Sequence, residues 1–414
     1  MRSAALLPRG SVERSKAPMS SPITIQVATS IAAIEPDLWD RCANPAAPPS
    51  ETPDRSGERY NPFLSHAFLK ALETSGAVGG RTGWSPAHVI VQEGDTLVAA
   101  APTYVKTHSQ GEYVFDHAWA EAYARAGGHY YPKLQVAVPF TPATGRRFLV
   151  AAGYDESTMQ GALAAGLAAL RKEIKASSTH ATFVTKAEWD SLGAQGWLQR
   201  TDQQFHFVNE GYAGFDDFLA ALASRKRKNI KKERRDALEN GITIEHLTGA
   251  DIREEHWDAF FEFYMDTGSR KWGRPYLTRR FFSEVGSSMA DRILLVMAKR
   301  AGRYIAGAIN FIGDDALYGR NWGCVEEHPF LHFEVCYYQA IDFALSRGLQ
   351  RVEAGAQGEH KLARGYRPTP TYSVHDIADP RLAAAIADYL DHERAYVESA
   401  VEQLGEHLPF RHED

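Results

Sequence analysis

The stretch AGRYIAGAINFIGDDALYGRNWG, residues 301–323, reads as a β-hairpin. Apolar and small residues alternate through Ile305–Ile309, a polar Gly-Asp-Asp turn follows, and a return run ends at Trp322, which is hairpin chemistry. The same plan can be laid over GDTLVAAAPTYVK (94–106) and EYVFDHAW (112–119), with the turn SQG between them and Trp119 near the end of the return run. Meeting this hairpin twice points to two similar α/β domains in tandem, each a hairpin-bearing sheet with helices packed on it.

"KLQVAVP", "HATFV" and "QQFHFVN" read as further strands of the first half, and "ITIEHL", "RILLVMAKR", "QRVEAG" and "TYSVHDI" as strands of the second. The runs "MQGALAAGLAALRKEI", "FDDFLAALASRKRKNIKKERRDALENG", "EEHWDAFFEFYMDTGSR", "HFEVCYYQAIDFALSRG" and the C-terminal "PRLAAAIADYLDHERAYVESAVEQLG" read as helices. A chain of 414 residues suits two domains, 22–209 and 210–414, the second ending in the long C-terminal helix. Residues 1–21, basic and rich in Ser and Pro, are expected to form a disordered leader, with Met19 as a second candidate start.

A formal net charge of -6 excludes a general nucleic-acid binder, so no DNA partner is expected and any anion site must be local. Cys42, Cys324 and Cys336 lack paired spacing, which argues for a reducing compartment and buried thiols rather than disulfides or zinc. No apolar run is long enough to cross a bilayer. The expected location is the cytoplasm, with peripheral contact at the inner membrane as the remaining membrane role.

One turn concentrates chemistry. EAGAQGEHKLARGY (353–366) runs from a strand end through three glycines to an acid, an imidazole and two cations. In a helical turn His360 and Arg364 share one face, with Lys361 beside them and Tyr366 just beyond. A solvated salt-bridge turn would explain Glu359 and Lys361 but not the glycines or Gln357, so a site with a base, an acid and an anion clamp is the better reading. A second cluster lies in YVFDHAWAEAYARAGGHYYPKLQ (113–135), where Asp116, His117, His129 and Lys133 cannot all be buried without partners. Trp119 and Tyr131 stand among them as a cleft wall. The basic run SRKRKNIKKERR (224–235) reads as a solvated helix face, with Leu219, Leu222, Ile230 and Leu238 as its buried stripe. Its functional alternative is a phosphate, tRNA or anionic-lipid site. His328 and His332 straddle Pro329, so no metal site is expected.

These residues resemble the FemAB-like family described as "peptidoglycan biosynthesis/recognition", a branch of the GNAT acyltransferase superfamily. The resemblance is carried by FDHAWAEAYARAGGHYYPKLQVAVPFTP, RKWGRPYLTRRFF, HFEVCYYQAIDFAL and AGAQGEHKLARGY. It implies an α/β (α+β) fold of tandem GNAT-like domains with mixed, mostly antiparallel sheets flanked by helices. The implied reaction is N-acyl transfer onto an amine: from acyl-CoA or acyl carrier protein to a long-chain base, as in bacterial ceramide synthesis. The alternatives are transfer from aminoacyl-tRNA to a peptidoglycan precursor, or a non-catalytic recognition module. No permanently bound cofactor is implied. The GNAT pyrophosphate signature Q/R-x-x-G-x-G/A does not precede HFEVCYYQ, which leaves the donor open. On this reading Glu353, Glu359 or His360 is the base and Tyr366 protonates the leaving thiolate. Gln357, Lys361 and Arg364 hold donor or acceptor, and Arg320, Trp322 and Glu334 complete that side of the pocket. Asp116, His117, Trp119, His129, Tyr131 and Lys133 form the opposite wall.

Overall fold

The computed structural model describes residues 22–45, 59–271, 275–355 and 358–411; the expected leader lies outside the described residues. The first half contains β1 (Ile23–Ala28), α1 (Pro36–Ala43), α2 (His66–Thr74), β2 (Trp84–Pro86), β3 (His88–Glu93), β4 (Thr96–Ala101) and β5 (Thr103–Lys106). It continues through α3 (His117–Arg125), β6 (Lys133–Val136), β7 (Leu149–Val150), α4 (Glu156–Glu173), β8 (Ser178–Val184), α5 (Lys186–Ala194) and β9 (Leu198–Val208). The second half contains α6 (Phe215–Ala221), α7 (Ser224–Ala237), β10 (Ile242–Leu247), α8 (Glu254–Lys271), α9 (Arg279–Met289), β11 (Ile293–Arg300), β12 (Arg303–Ile312) and β13 (Ala316–Cys324). Next come α10 (Leu331–Phe333), a π-helical turn (Glu334–Tyr338), α11 (Gln339–Ser346), β14 (Arg351–Glu353), β15 (Arg367–Ile377) and α12 (Pro380–Gly405).

The strands form a four-stranded sheet, β1-β3-β4-β7, and an eleven-stranded sheet, β10-β11-β12-β13-β14-β9-β15-β8-β6-β5-β2. Pro102 cannot donate to a ladder, and the chain passes there from β4 in the first sheet to β5 in the second. The large sheet is antiparallel except at two places, β13 with β14 and β6 with β8, one in each half. The expected α/β architecture with mixed, mostly antiparallel sheets is therefore present. Its centre is an exchange. β9 of the first half pairs with β14, β15 of the second half pairs with β8, and β9 and β15 pair with each other. A cut at 209/210 thus falls between interleaved strands.

Alternation along β11 and β12 divides the core. Ile293, Leu295, Met297, Ile309 and Phe311 face α8 and α9 and reach Phe63 and Phe68 of the first half. Leu294, Val296, Ala308 and, on β13, Leu317 face Val335 and Ile341 on the other side. Leu382, Ile386 and Leu390 of α12 close over Trp119 and Tyr130, again joining the halves.

EYVFDHAW is not a strand: Phe115 is 56% exposed, and Asp116 starts α3, which carries Trp119. The return strand matching β13 is β6, which pairs with β5 as β13 pairs with β12. The long basic helix is broken at Leu222–Ala223, because Leu222 is extended and bridges Phe410 while the Ala223 amide bonds the Pro409 carbonyl. Beyond it, Leu238 is 39% exposed rather than part of a buried stripe.

Candidate active site

β13 and β14 run together only over Ala316–Tyr318 and Arg351–Glu353; β14 then stops while β13 continues to Cys324. At the same point β13 carries a bulge, since Asn310 faces Gly319 and Ile309 faces Asn321, leaving Arg320 as the extra residue. A bulge leaves one residue outside the ladder and bends the strand. Gly319 sits at the fork, where a Cβ would lie 3.3 Å from Asn310 Oδ1 and 3.4 Å from the Glu353 carbonyl. The parted strands leave a wedge of about 80 Å³ on the α11 side, lined by Asn310, Gly319, Trp322, Cys336, Tyr337 and Ala354. A pocket of about 220 Å³ on the opposite face holds His206, Tyr318, Arg351 and Glu353.

Glu353 is 4% exposed and accepts a hydrogen bond from Arg351 Nε at 3.0 Å through one oxygen. Arg351 also binds Asp315 at 2.6 Å and the Tyr318 hydroxyl at 3.2 Å, so it is fixed on three sides. The other oxygen, Oε2, has no hydrogen-bond partner among the described residues, and His206 Nε2 lies 3.9 Å away. Burial holds His206 below the usual imidazole range, so its ring is neutral near pH 7. Arg320 donates to the Phe140 carbonyl, and burial lowers its pKa. A buried carboxylate with one oxygen fixed and the other without a donor is suited to accept a proton from a group brought against it.

The turn after β14 is held differently from its sequence reading. His360 is exposed and its Nε2 lies 2.9 Å from the Tyr337 hydroxyl; desolvation, then Arg364 and Lys361, lower its pKa. Lys361 is 1% exposed, donates to the Gly355 carbonyl at 2.7 Å, and is pushed by burial down to about 8. Arg364 is paired with Glu233 at 3.0 and 2.9 Å and covers the Phe333 ring, so it locks α7 to the turn rather than clamping a ligand. Tyr366 is enclosed in the core with Phe207 and Tyr337 against it, which leaves it no route to a leaving thiolate. Glu334 is likewise structural, fully buried and held by Arg234 at 3.0 Å and Gln339 at 2.6 Å. Gln357 and the side chain of Glu359 lie outside the described residues.

The expected opposite wall is a closed ion cluster. Lys133 is fully buried and bonded to Asp116, to Glu112 at 2.7 Å and to Ser109 at 3.0 Å. Burial would depress Lys133, but Glu112 and Asp116 outweigh it; burial would raise Asp116, but Lys133 holds it far down. Tyr130 extends the cluster from Asp116 at 2.7 Å to His180 at 3.2 Å, and His180 meets His375 at 2.7 Å. Tyr131 joins through Ser109 at 2.8 Å. Trp119 is in the α12 core, whereas His117 and His129 are exposed and take no part. The cluster stands beside the parallel pair of the first half as Glu353 stands beside that of the second.

His206, Tyr318, Arg351 and Asp315 escaped the sequence reading. Their trace was in QQFHFV, where Gln204 and His206 alternate with Phe205 and Phe207 and all four are buried. Polar residues at every second position of a buried strand mark a polar face.

No curated protein matches the chain by sequence. Among solved structures, FemX is 13% identical, with 80% of this chain and 96% of that chain covered and a TM-score of 0.52. A tandem GNAT protein from the clavulanic acid biosynthesis pathway is 11% identical over 87% of this chain and 99% of that chain, with a TM-score of 0.43. The C-terminal domain of a putative lysylphosphatidylglycerol synthetase from Agrobacterium fabrum is 8% identical over 87% and 96%, with a TM-score of 0.49. Of these three, the likeness to FemX speaks to the fold. The family described as peptidoglycan biosynthesis/recognition, FemAB-like, matches residues 30–412, and the chain belongs to that family.

Proposed function

We propose that the protein is an N-acyltransferase that moves an acyl group from a thioester, acyl-CoA or acyl carrier protein, to the amine of a long-chain base or similar lipid amine. The observation that carries this reading is the fork of β13 and β14, with a pocket on each face and the buried, unpartnered oxygen of Glu353 beside it. Donor carbonyl and acceptor amine can then approach from opposite sides of one sheet. Glu353 takes the proton from the attacking amine, whose nitrogen forms the C–N bond as the C–S bond breaks and the thiolate leaves to be protonated. Backbone N–H groups of β13 past Tyr318, freed from pairing with β14, are placed to receive the developing oxyanion.

A second reading has its own support. α7 presents Arg225, Lys228, Lys231, Lys232 and Arg235 outward, and it is tied through Glu233 and Arg234 to the helix and turn flanking the wedge. Such a face suits a polyanionic donor, which favours transfer from aminoacyl-tRNA to a peptidoglycan precursor. The test is product analysis by mass spectrometry. Sphinganine with palmitoyl-CoA is expected to give the N-acyl product. Product formed only with charged tRNA and a cell-wall precursor would move the reading to aminoacyl transfer. No product from either would leave a recognition module.

A further inference from the structure

A cleft of about 1120 Å³ lies between the Gly76–Thr82 loop of the first half and Pro275–Arg279 of the second, and Phe140 stands at its inner end. The Phe140 ring is 6% exposed, stacks on Tyr276 at 4.9 Å with an interplanar angle of 7°, and meets Trp84 edge-on at 5.5 Å. Behind it is a void of about 10 Å³ bounded by Phe140, Leu277, Arg320 and Asn321. Arg320 and Asn321 also line the wedge at the fork. Cleft, Phe140 and Arg320 are therefore in series: the Phe140 ring, with Tyr276 stacked on it, stands between the cleft and the bulge at Arg320, and the wedge lies across the sheet from there.

The ring's seat is built at a cost elsewhere. Phe140 has φ +59°, a left-handed conformation that bulky residues avoid, and its carbonyl receives the Arg320 guanidinium. Gly111, at φ +80°, faces the ring so closely that a Cβ there would lie 2.6 Å from it. The strained position is Phe140 itself, while Gly111 adopts its positive φ freely and leaves room for the ring. Strain of this kind is retained where the surrounding structure over-determines it, and it clusters at ligand clamps.

We propose that Phe140 is a specificity-determining plug, whose ring sets how bulky a chain can pass from the cleft to Arg320 and the reacting carbonyl. This rests on the N-acyltransferase reading above. Val78, Phe261, Met265 and Leu277 give the cleft an apolar wall, with Arg81 and His108 among its polar residues, so the acceptor it fits is an amphiphilic amine with its apolar chain along that wall.

The test compares the wild type with Phe140→Gly, which removes the ring and suits the backbone, and Phe140→Leu, which keeps bulk if the glycine variant folds poorly. Transfer to straight-chain and branched or aryl amines is measured in competition. Phe140→Gly is expected to shift the ratio of kcat/KM toward the bulky amines by about 10-fold or more, the scale at which a pocket discriminates by a few methylenes. Phe140→Leu should give a smaller shift in the same direction. Crystals soaked with dodecylamine provide a reading that does not need turnover: ligand density should stop at Phe140 in the wild type and run on to Arg320 in Phe140→Gly. Unchanged selectivity in folded variants, or density ending at the same point in both crystals, overturns the plug. A wild type that transfers no acyl group but shows the expected densities would remove the acyltransferase reading alone.

Discussion

Lys361 and Glu353 show at the level of single residues how burial divides a motif into parts. Folding takes Lys361 from about 10.5 to about 8 because its ammonium is desolvated, a difference worth about 3 kcal/mol. The folded state binds the proton less well than the unfolded chain, so the penalty is fully present below pH 8 and fades as pH rises toward 10.5. Lys361→Met should therefore be more stable than wild type at pH 7, with the advantage shrinking between pH 8 and 10.5 in urea titrations; equal stability at both pH values would contradict the assignment. Glu353→Gln keeps the Arg351 contact but cannot take a proton, and turnover should fall about 10²–10⁴-fold with circular dichroism unchanged. A drop of that size in His360→Ala instead, with Glu353→Gln near wild type, would transfer the role to the exposed imidazole. The sequence marked both glutamate and lysine as site residues because they cluster after a strand. It could not show that Arg364 and Tyr366 are consumed by Glu233 and by the core, since those partners lie far away in the chain.

Elements were legible wherever local pattern and tertiary demand agreed, as in β11, β12 and α4. They were misread where a distant partner set the conformation. EYVFDHAW alternates like a strand, yet Glu112 and Asp116 are there to meet Lys106 and Lys133, and the alternation reflects that ion cluster instead of a sheet. The basic helix teaches the same lesson in its charges. Of its cations, Arg234 turns inward to Glu334 at 3.0 Å and Asp342 at 2.9 Å, while Lys231 and Lys232 remain exposed. Arg234→Ala would leave Glu334 fully buried with its countercharge gone, a change that costs about 3–5 kcal/mol. Lys232→Ala should fall within about 0.5 kcal/mol of wild type. Chemical denaturation that ranks the two equally would mean that α7 is not anchored through Arg234.

At the scale of the whole molecule, the hairpin stands as read in the second half, as β12 with β13, while in the first half its return strand is β6 and not EYVFDHAW. Strand exchange has no local signature and could not be read from the chain. β9 has β14 on one side and β15 on the other, and β15 in turn carries β8. A fragment ending at residue 209 would leave β9 without either neighbour, β8 with an open edge, and Trp119 and Tyr130 uncovered by α12. A fragment beginning at 210 would expose β14 and both edges of β15. Open edges and uncovered apolar faces of this kind favour aggregation over folding. The full chain is therefore expected to unfold in one transition, with calorimetric and van't Hoff enthalpies equal. Fragments 22–209 and 210–411 expressed apart should lack near-ultraviolet circular dichroism and cooperative urea curves, and co-expression should restore both. Two resolved transitions in the full chain, one of them reproduced by an isolated fragment, would show that the shared sheet does not couple the halves.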